Sequence, residues 1–311
     1  MKITTEIHVP PSGHTIRLCD PLLIVGSCFA QEVGAWFQAR RFEICLNPNG
    51  IVFHPSALAN GLRKTIDQHV YTDDDWVEQN GLFHSLDHHG SWSANTREEL
   101  TRNVNTRRME VFGYLKTAKT LIVTWGSAWG YRWKKSGQWA ANCHKIPQHN
   151  FIKELMQADA IVAEWTALLN ELTQINPEIQ VVFSVSPVRY WRDGAHGNQL
   201  SKAQLLIAAS HLAESHANAR YFPAYEIMLD ELRDYRFYAD DMLHPSPLAV
   251  EYIIEKFQGA FFDEKMKAYV AEIERSLKFL QHRPLHAPLA EWESQCAEME
   301  SRITLLYNRH K

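Results

Sequence analysis

The sequence has no CxxC pair. Its five cysteines, Cys19, Cys28, Cys45, Cys143 and Cys296, are odd in number and widely scattered, which argues against a disulfide framework or a zinc ribbon. No apolar run reaches about 18 residues, so no membrane span is expected. No long basic run is present, and the formal net charge of −4 comes from mixed signs, so a nucleic-acid partner is not expected. Neither GxGxxG after a strand nor GxxxxGK[ST] occurs, and no cofactor is expected. The opening "MKITTEIHVPPSGHTIRLCD" lacks the charged start, apolar stretch and cleavage site of a secretory signal. With the unpaired cysteines this points to a cytoplasmic protein, a processed precursor being the alternative.

What is present reads as α/β. With 311 residues, 45% of them hydrophobic, the chain can bury one large core. Short apolar runs at 22–25, 120–124 and 180–185 have the character of buried parallel strands. Helical periodicity predicts helices over 30–40, 56–68, 97–117, 152–174, 202–217 and 247–262, with further strands at 42–46 and 220–222. The alternation predicts a three-layer α/β/α sandwich around a mostly parallel sheet. Segments 70–95 and 125–145 break it with hairpin turn signals, Asn80-Gly81 and Ser136-Gly137, and are expected as insertions over the sheet's carboxyl edge. The expected division is a domain over 1–263 and a helical extension over 264–311, interrupted by the prolines of "HRPLHAP". That extension either packs on the domain or forms a homodimer.

The stretch "LLIVGSCFAQEVGAWFQ" (22–38) turns from strand to helix at Gly26-Ser27-Cys28. In an open α/β sheet ligands bind beyond the carboxyl ends of the strands, so a serine there is placed as a nucleophile; the alternative is an ordinary helix N-cap. Downstream, "FYADDMLHPSPLAVEYI" sets Asp241 and His244 three apart ahead of an apolar-periodic helix. A carboxylate at that spacing accepts the imidazole Nδ1 proton and leaves Nε2 to act on a serine hydroxyl. A solvated turn is the alternative, and Asp240 is the competing carboxylate. Cys28 competes with Ser27, but one position further into the helix it is expected to face the core.

"GSCFA" (26–30), "NPNGIVFHP" (47–55), "FHS" (83–85), "TWGSAWGY" (124–131), "ANCHKIP" (141–147) and "SVSPVR" (184–189) resemble the GSCFA family, which is itself similar to the SGNH/GDSL hydrolases. The resemblance covers roughly residues 20–255. It implies an SGNH-like fold, Ser27 as nucleophile, and Asp241 and His244 completing a triad. It also implies an oxyanion hole built from the Ser27 amide, the Gly50 amide with Asn49 beside it, and a third donor. Where that third donor would stand in a Gly-x-Asn, the chain reads Trp125-Gly126-Ser127, so Ser127 or Asn142 is expected to take its place.

Beyond the triad, His144 and Lys145 of "NCHK" are placed to bind a substrate's polar end, with a surface-hairpin role as the alternative. Arg189, after a strand end, is placed to pair with an anionic group of the substrate or within the fold. Trp125, Trp129, Trp133 and Trp139 offer flat faces for a carbohydrate or, alternatively, form a local core. His84, Asp87, His88 and His89 invite a metal reading. Adjacent histidines on an extended chain point to opposite faces, so at most one of His88 and His89 joins His84. The expectation is a serine esterase or deacylase acting on an O-acyl ester, of a small molecule or a carbohydrate, with acyl transfer or non-catalytic ligand binding as rivals.

Overall fold

The computed structural model describes residues 4–281 and 289–311. "HRPLHAP" lies outside them. Strand β1 (Leu22–Gly26) leads into helix α1 (Cys28–Ala39), followed by β2 (Ile44–Leu46) and α2 (Pro55–Ile66). The hairpin β3–β4 (Trp76–Gln79, Leu82–Ser85) precedes α3 (Arg97–Thr117) and β5 (Thr120–Trp125). Three short strands follow, β6 (Trp129–Trp133), β7 (Trp139–Ala140) and β8 (Phe151–Leu155), then α4 (Ala158–Ile175) and β9 (Gln180–Val185). Helix α5 (Gly194–Ser215), β10 (Ala219–Phe222), the short α6 (Ala224–Glu226), α7 (Pro247–Phe261), α8 (Glu264–Gln281) and α9 (Leu289–His310) complete the chain.

The central sheet has the order β10-β9-β5-β1-β2, and every pair in it is parallel. A parallel sheet must be covered on both faces, and the strand residues alternate accordingly. Leu23, Val25, Leu121, Val123 and Phe183 join the core under α2, α3, α4 and α5. Leu22, Ile24, Ile122 and Val182 join the core under α1, α7 and α8. The three layers expected from the βα alternation are therefore present. The chain leaves β1 toward β2 on one side and returns to β5 on the other, so the topological switch point lies between β1 and β5, where a ligand crevice belongs.

Two expected helices shift. The predicted 152–174 helix begins only at Ala158, because residues 151–155 pair antiparallel with β6 and make a third strand of that small sheet. The partner edge overrides local helical preference there. The predicted 202–217 helix begins at Gly194, two turns earlier, and its first turns bury Gly197, Asn198, Ser201 and Lys202 instead of an apolar stripe. Both hairpin signals hold: Asn80 and Gly81 take φ of 55° and 74°, and Gly137 takes 73°.

The C-terminal extension packs on its own domain. Met266, Tyr269, Val270, Ile273, Ile303 and Leu306 are buried in the same cluster as Phe37 and Phe262. Tyr269 donates to the Arg40 carbonyl, and Arg40 pairs with Glu274 at 2.8 Å.

Candidate active site

The corner after β1 is fixed by contact between backbones. Gly26 has φ +144°, and a Cβ there would stand 2.3 Å from the Thr124 carbonyl oxygen, so no larger residue fits against β5. Asn47, buried at the end of β2, accepts from the Gly26 amide at 2.9 Å and donates to Gln31 at 3.0 Å, tying the corner to α1. Ser27 stands at the N-cap with extended backbone, but its hydroxyl makes no capping bond. Its Oγ is buried with no hydrogen-bond partner among the described residues. Leaving a buried hydroxyl unpaired costs about 1–3 kcal/mol, an expense that a cap serine would not carry.

Asp241 and His244 are brought together. Asp241 Oδ2 lies 2.6 Å from His244 Nδ1, and Oδ1 accepts from the amides of Leu243 and His244, each at 2.9 Å. Those two amides, then the imidazole, hold the Asp241 carboxyl down at about 2, so it is ionised at neutral pH. With Nδ1 on the carboxylate, Nε2 is the free ring atom. Met242 between them takes φ 59°, a left-handed conformation of the kind found where a loop is held in place for function. Arg189 braces this loop: its amide donates to Leu243 O at 3.0 Å, its guanidinium to Met242 O at 3.3 Å, and it lies 4.2 Å over Trp191. It stacks and bonds within the fold and makes no ion pair with a carboxylate among the described residues.

His244 lines a groove of about 420 Å³ with Cys28, Phe29, Glu32, Trp36 and Val188. Here an expectation is corrected. Cys28 is half-buried at the groove and does not sit in the core, because Phe29, Ala30, Val33 and Phe37 form the sheet-facing stripe of α1 and Cys28 precedes it. Burial pushes its thiol up, so it is held protonated.

The two expected oxyanion amides are engaged within the fold, and the other candidates are bonded mainly through their oxygens. The Ser27 amide donates to Thr124 O at 3.1 Å, and the Gly50 amide to Asn47 O at 2.7 Å. Asn49 sits against Gly61 of α2, and its carbonyl accepts from His89. Ser127 is fully buried: its hydroxyl lies 3.1 Å from Ser201 Oγ and accepts from the Trp129 amide. Asn142 Oδ1 accepts from the His144 amide at 2.8 Å, closing the "NCHK" turn.

Other predicted residues separate. Trp125 is fully buried against Trp165 and Phe183, because it is the last β5 residue on the core-facing side; it does not reach a ligand site. Trp133 packs on Phe151 and Trp139 on His54, whereas Trp129 lines a cavity beside Lys145. His144 is buried, bonds Ser85 O at 2.7 Å, stacks on His84 at 4.5 Å, and burial pushes it down to about 4. The suspected metal residues face separate partners: His84 meets Ser93, His88 meets Ser85, and Asp87 binds Lys64 and Asn60. Among the described residues no group of three His, Cys, Asp or Glu is arranged to hold a metal.

Three residues at the site were missed in the sequence. Lys202 is 1% exposed and donates to Gly126 O at 2.8 Å and Ser186 O at 2.7 Å, clamping the carboxyl ends of β5 and β9. Burial pushes its amine down to about 7. His54, before Pro55 at the start of α2, is 3% exposed and faces the Ala128 backbone carbonyl. Arg192 lines the cavity that His54 also lines. The only sequence signal was for His54, which closes "NPNGIVFHP"; nothing marked Lys202 or Arg192.

The chain folds as a parallel α/β/α sandwich, with Ser27 at its switch point and the Asp241–His244 pair on the loop before α7. The family model of the GSCFA family matches residues 21–257, and the chain belongs to that family. A solved structure described as "a putative platelet activating factor from Streptococcus pneumonia" is similar at 10% identity and TM-score 0.39, over 80% of this chain and 83% of that one. No curated protein matches the chain. No helix among the described residues is long and apolar enough to cross a membrane.

Proposed function

We propose that the protein is a serine esterase or deacylase of the SGNH type acting on an O-acyl ester. The Asp241–His244 pair, held at 2.6 Å with Nε2 left free, carries the reading. Ser27 Oγ attacks the acyl carbon and its proton passes to His244 Nε2; the tetrahedral adduct collapses, and the leaving alkoxide takes that proton. Water repeats the sequence on the acyl-serine, releasing the acid and restoring Ser27. An acceptor alcohol in place of water makes the same chain an acyltransferase. The oxyanion donors are proposed as the Ser27 and Gly50 amides with Ser127 or Asn142; the two amides must first exchange their internal partners for the substrate.

The test is intact-protein mass after incubation with a fluorophosphonate, on wild type and Ser27→Ala. One adduct that is absent from the variant supports an activated serine. An adduct unchanged in Ser27→Ala, or none on folded wild type, rejects it. One observation favours a second reading: Cys28 shares the groove with His244, which makes a thiol nucleophile the competitor. Iodoacetamide that blocks turnover while Ser27→Ala retains it would select Cys28.

A further inference from the structure

Behind the corner lies a cavity of about 540 Å³, walled by Phe53, His54, Tyr131, Tyr190, Lys145 and Arg192 among others. One residue of its wall, Phe53, packs close to Ser27 across Gly126. Phe53 Cβ stands 2.8 Å from where a Cβ on Gly126 would be, and Ser27 Cβ stands 3.5 Å from that same point.

Its lining is one-sided in charge. In a chain whose formal net charge is −4, this cavity presents two cations, Lys145 and Arg192, and neither an aspartate nor a glutamate. Among the described residues neither cation pairs with a carboxylate, whereas the nearby Asp193 is paired with Lys153. Arg192 is held over the Tyr131 ring at 5.4 Å and reaches the Tyr190 side chain, and the rest of its fork of donors is left for a guest. His54 shares the lining: it is buried, stacked on Trp139 at 4.3 Å and turned toward the Ala128 backbone carbonyl, so it contributes a flat wall.

We infer that this cavity binds an anionic oxyacid group, carboxylate or phosphate, on the ester substrate, with Arg192 and Lys145 as the recognising cations. For the ester the inference rests on the esterase reading; for anion binding it stands alone.

The experiment has two arms. In the first, benzoate and phenyl phosphate are titrated calorimetrically into wild type, Ser27→Ala and the Arg192→Met/Lys145→Met double variant. Binding by wild type and Ser27→Ala, weakened on the order of tenfold or more in the double variant, is expected from losing charge-assisted hydrogen bonds. Benzoate binding alone identifies a carboxylate site and phenyl phosphate alone a phosphate site. Absence of binding of either, or equal binding by the double variant, overturns the inference. In the second arm, kcat/KM for 4-acetoxybenzoate is divided by that for phenyl acetate. A ratio well above one in wild type that falls toward one in the double variant is expected, and a ratio unmoved by the substitutions overturns the ester assignment. Should neither ester be hydrolysed, the esterase reading fails while the calorimetric arm still decides whether the cavity is an anion site.

Discussion

Lys202→Met tests how the floor of the site is held. The amine is buried, donates to the carbonyls of Gly126 and Ser186, and is pushed down to about 7 by that burial. In the unfolded chain a lysine titrates near about 10.4. Between these values the unfolded state binds more protons than the folded one, so stability rises with pH across the window. The cost of folding this group is about 4 kcal/mol at pH 7 and about 2 kcal/mol at pH 9, so up to about 2 kcal/mol of unfolding free energy should be regained between them. The carbonyls that accept from the ammonium work the other way, which makes this an upper value. Methionine has similar length and no proton, and should flatten that slope. It also leaves two buried carbonyls unpaired, at about 1–3 kcal/mol each, which lowers its stability at every pH without changing the slope. Urea unfolding of both proteins at pH 7, 8 and 9, extrapolated to water, reads the double difference. Subtraction removes groups common to both and uncoupled from Lys202, including the thiols of Cys45 and Cys143, which burial pushes up and which therefore oppose the trend at the alkaline end; the Cys28 thiol feels the Lys202 charge, so the comparison is made in a Cys28→Ala background. A double difference of zero would refute the argument and place a permanently charged ammonium beneath the site.

Asp241→Asn should keep a side-chain oxygen for the Leu243 and His244 amides while presenting the wrong group to Nδ1; turnover of an aryl ester is expected to fall on the order of 10⁴-fold with the far-ultraviolet circular dichroism unchanged. Gly26→Ala should fail to fold or lose several kcal/mol in urea, because its Cβ would stand 2.3 Å from Thr124 O at a φ of +144°. Cys28 alkylation at pH 7.5, followed by peptide mass spectrometry, should be slower than that of a free thiol peptide, since burial keeps the thiol protonated; alkylation at the peptide's rate would contradict that assignment.

What could be read in the sequence and what could not divide along one physical line. The strand runs at 22–25, 120–124 and 180–185 and the Asn80-Gly81 turn were legible because apolar burial and positive φ each demand particular residue types. The Asp241–His244 pair was legible because it is local, three residues apart on one loop. Burial was misjudged where a short apolar or aromatic residue could serve either a face or a site: Trp125 went to the core and Cys28 to the groove. The start of α5 was invisible for a deeper reason. Its buried face is Gly197, Asn198, Ser201 and Lys202, which hydrophobic periodicity reads as exposed. Each of the three polar members has a partner that lies far along the chain or comes from the backbone: Asn198 meets the Tyr190 amide, Ser201 the Ala128 amide, and Lys202 the Gly126 and Ser186 carbonyls. A binary pattern equates inside with apolar, yet beyond the carboxyl ends of β5 and β9 the chain leaves backbone amides and carbonyls that must be met there. The helix that meets them must therefore be polar on its inner face, and a polar inner face, where it contradicts periodicity, marks the region in which a sheet has ended and a site has begun.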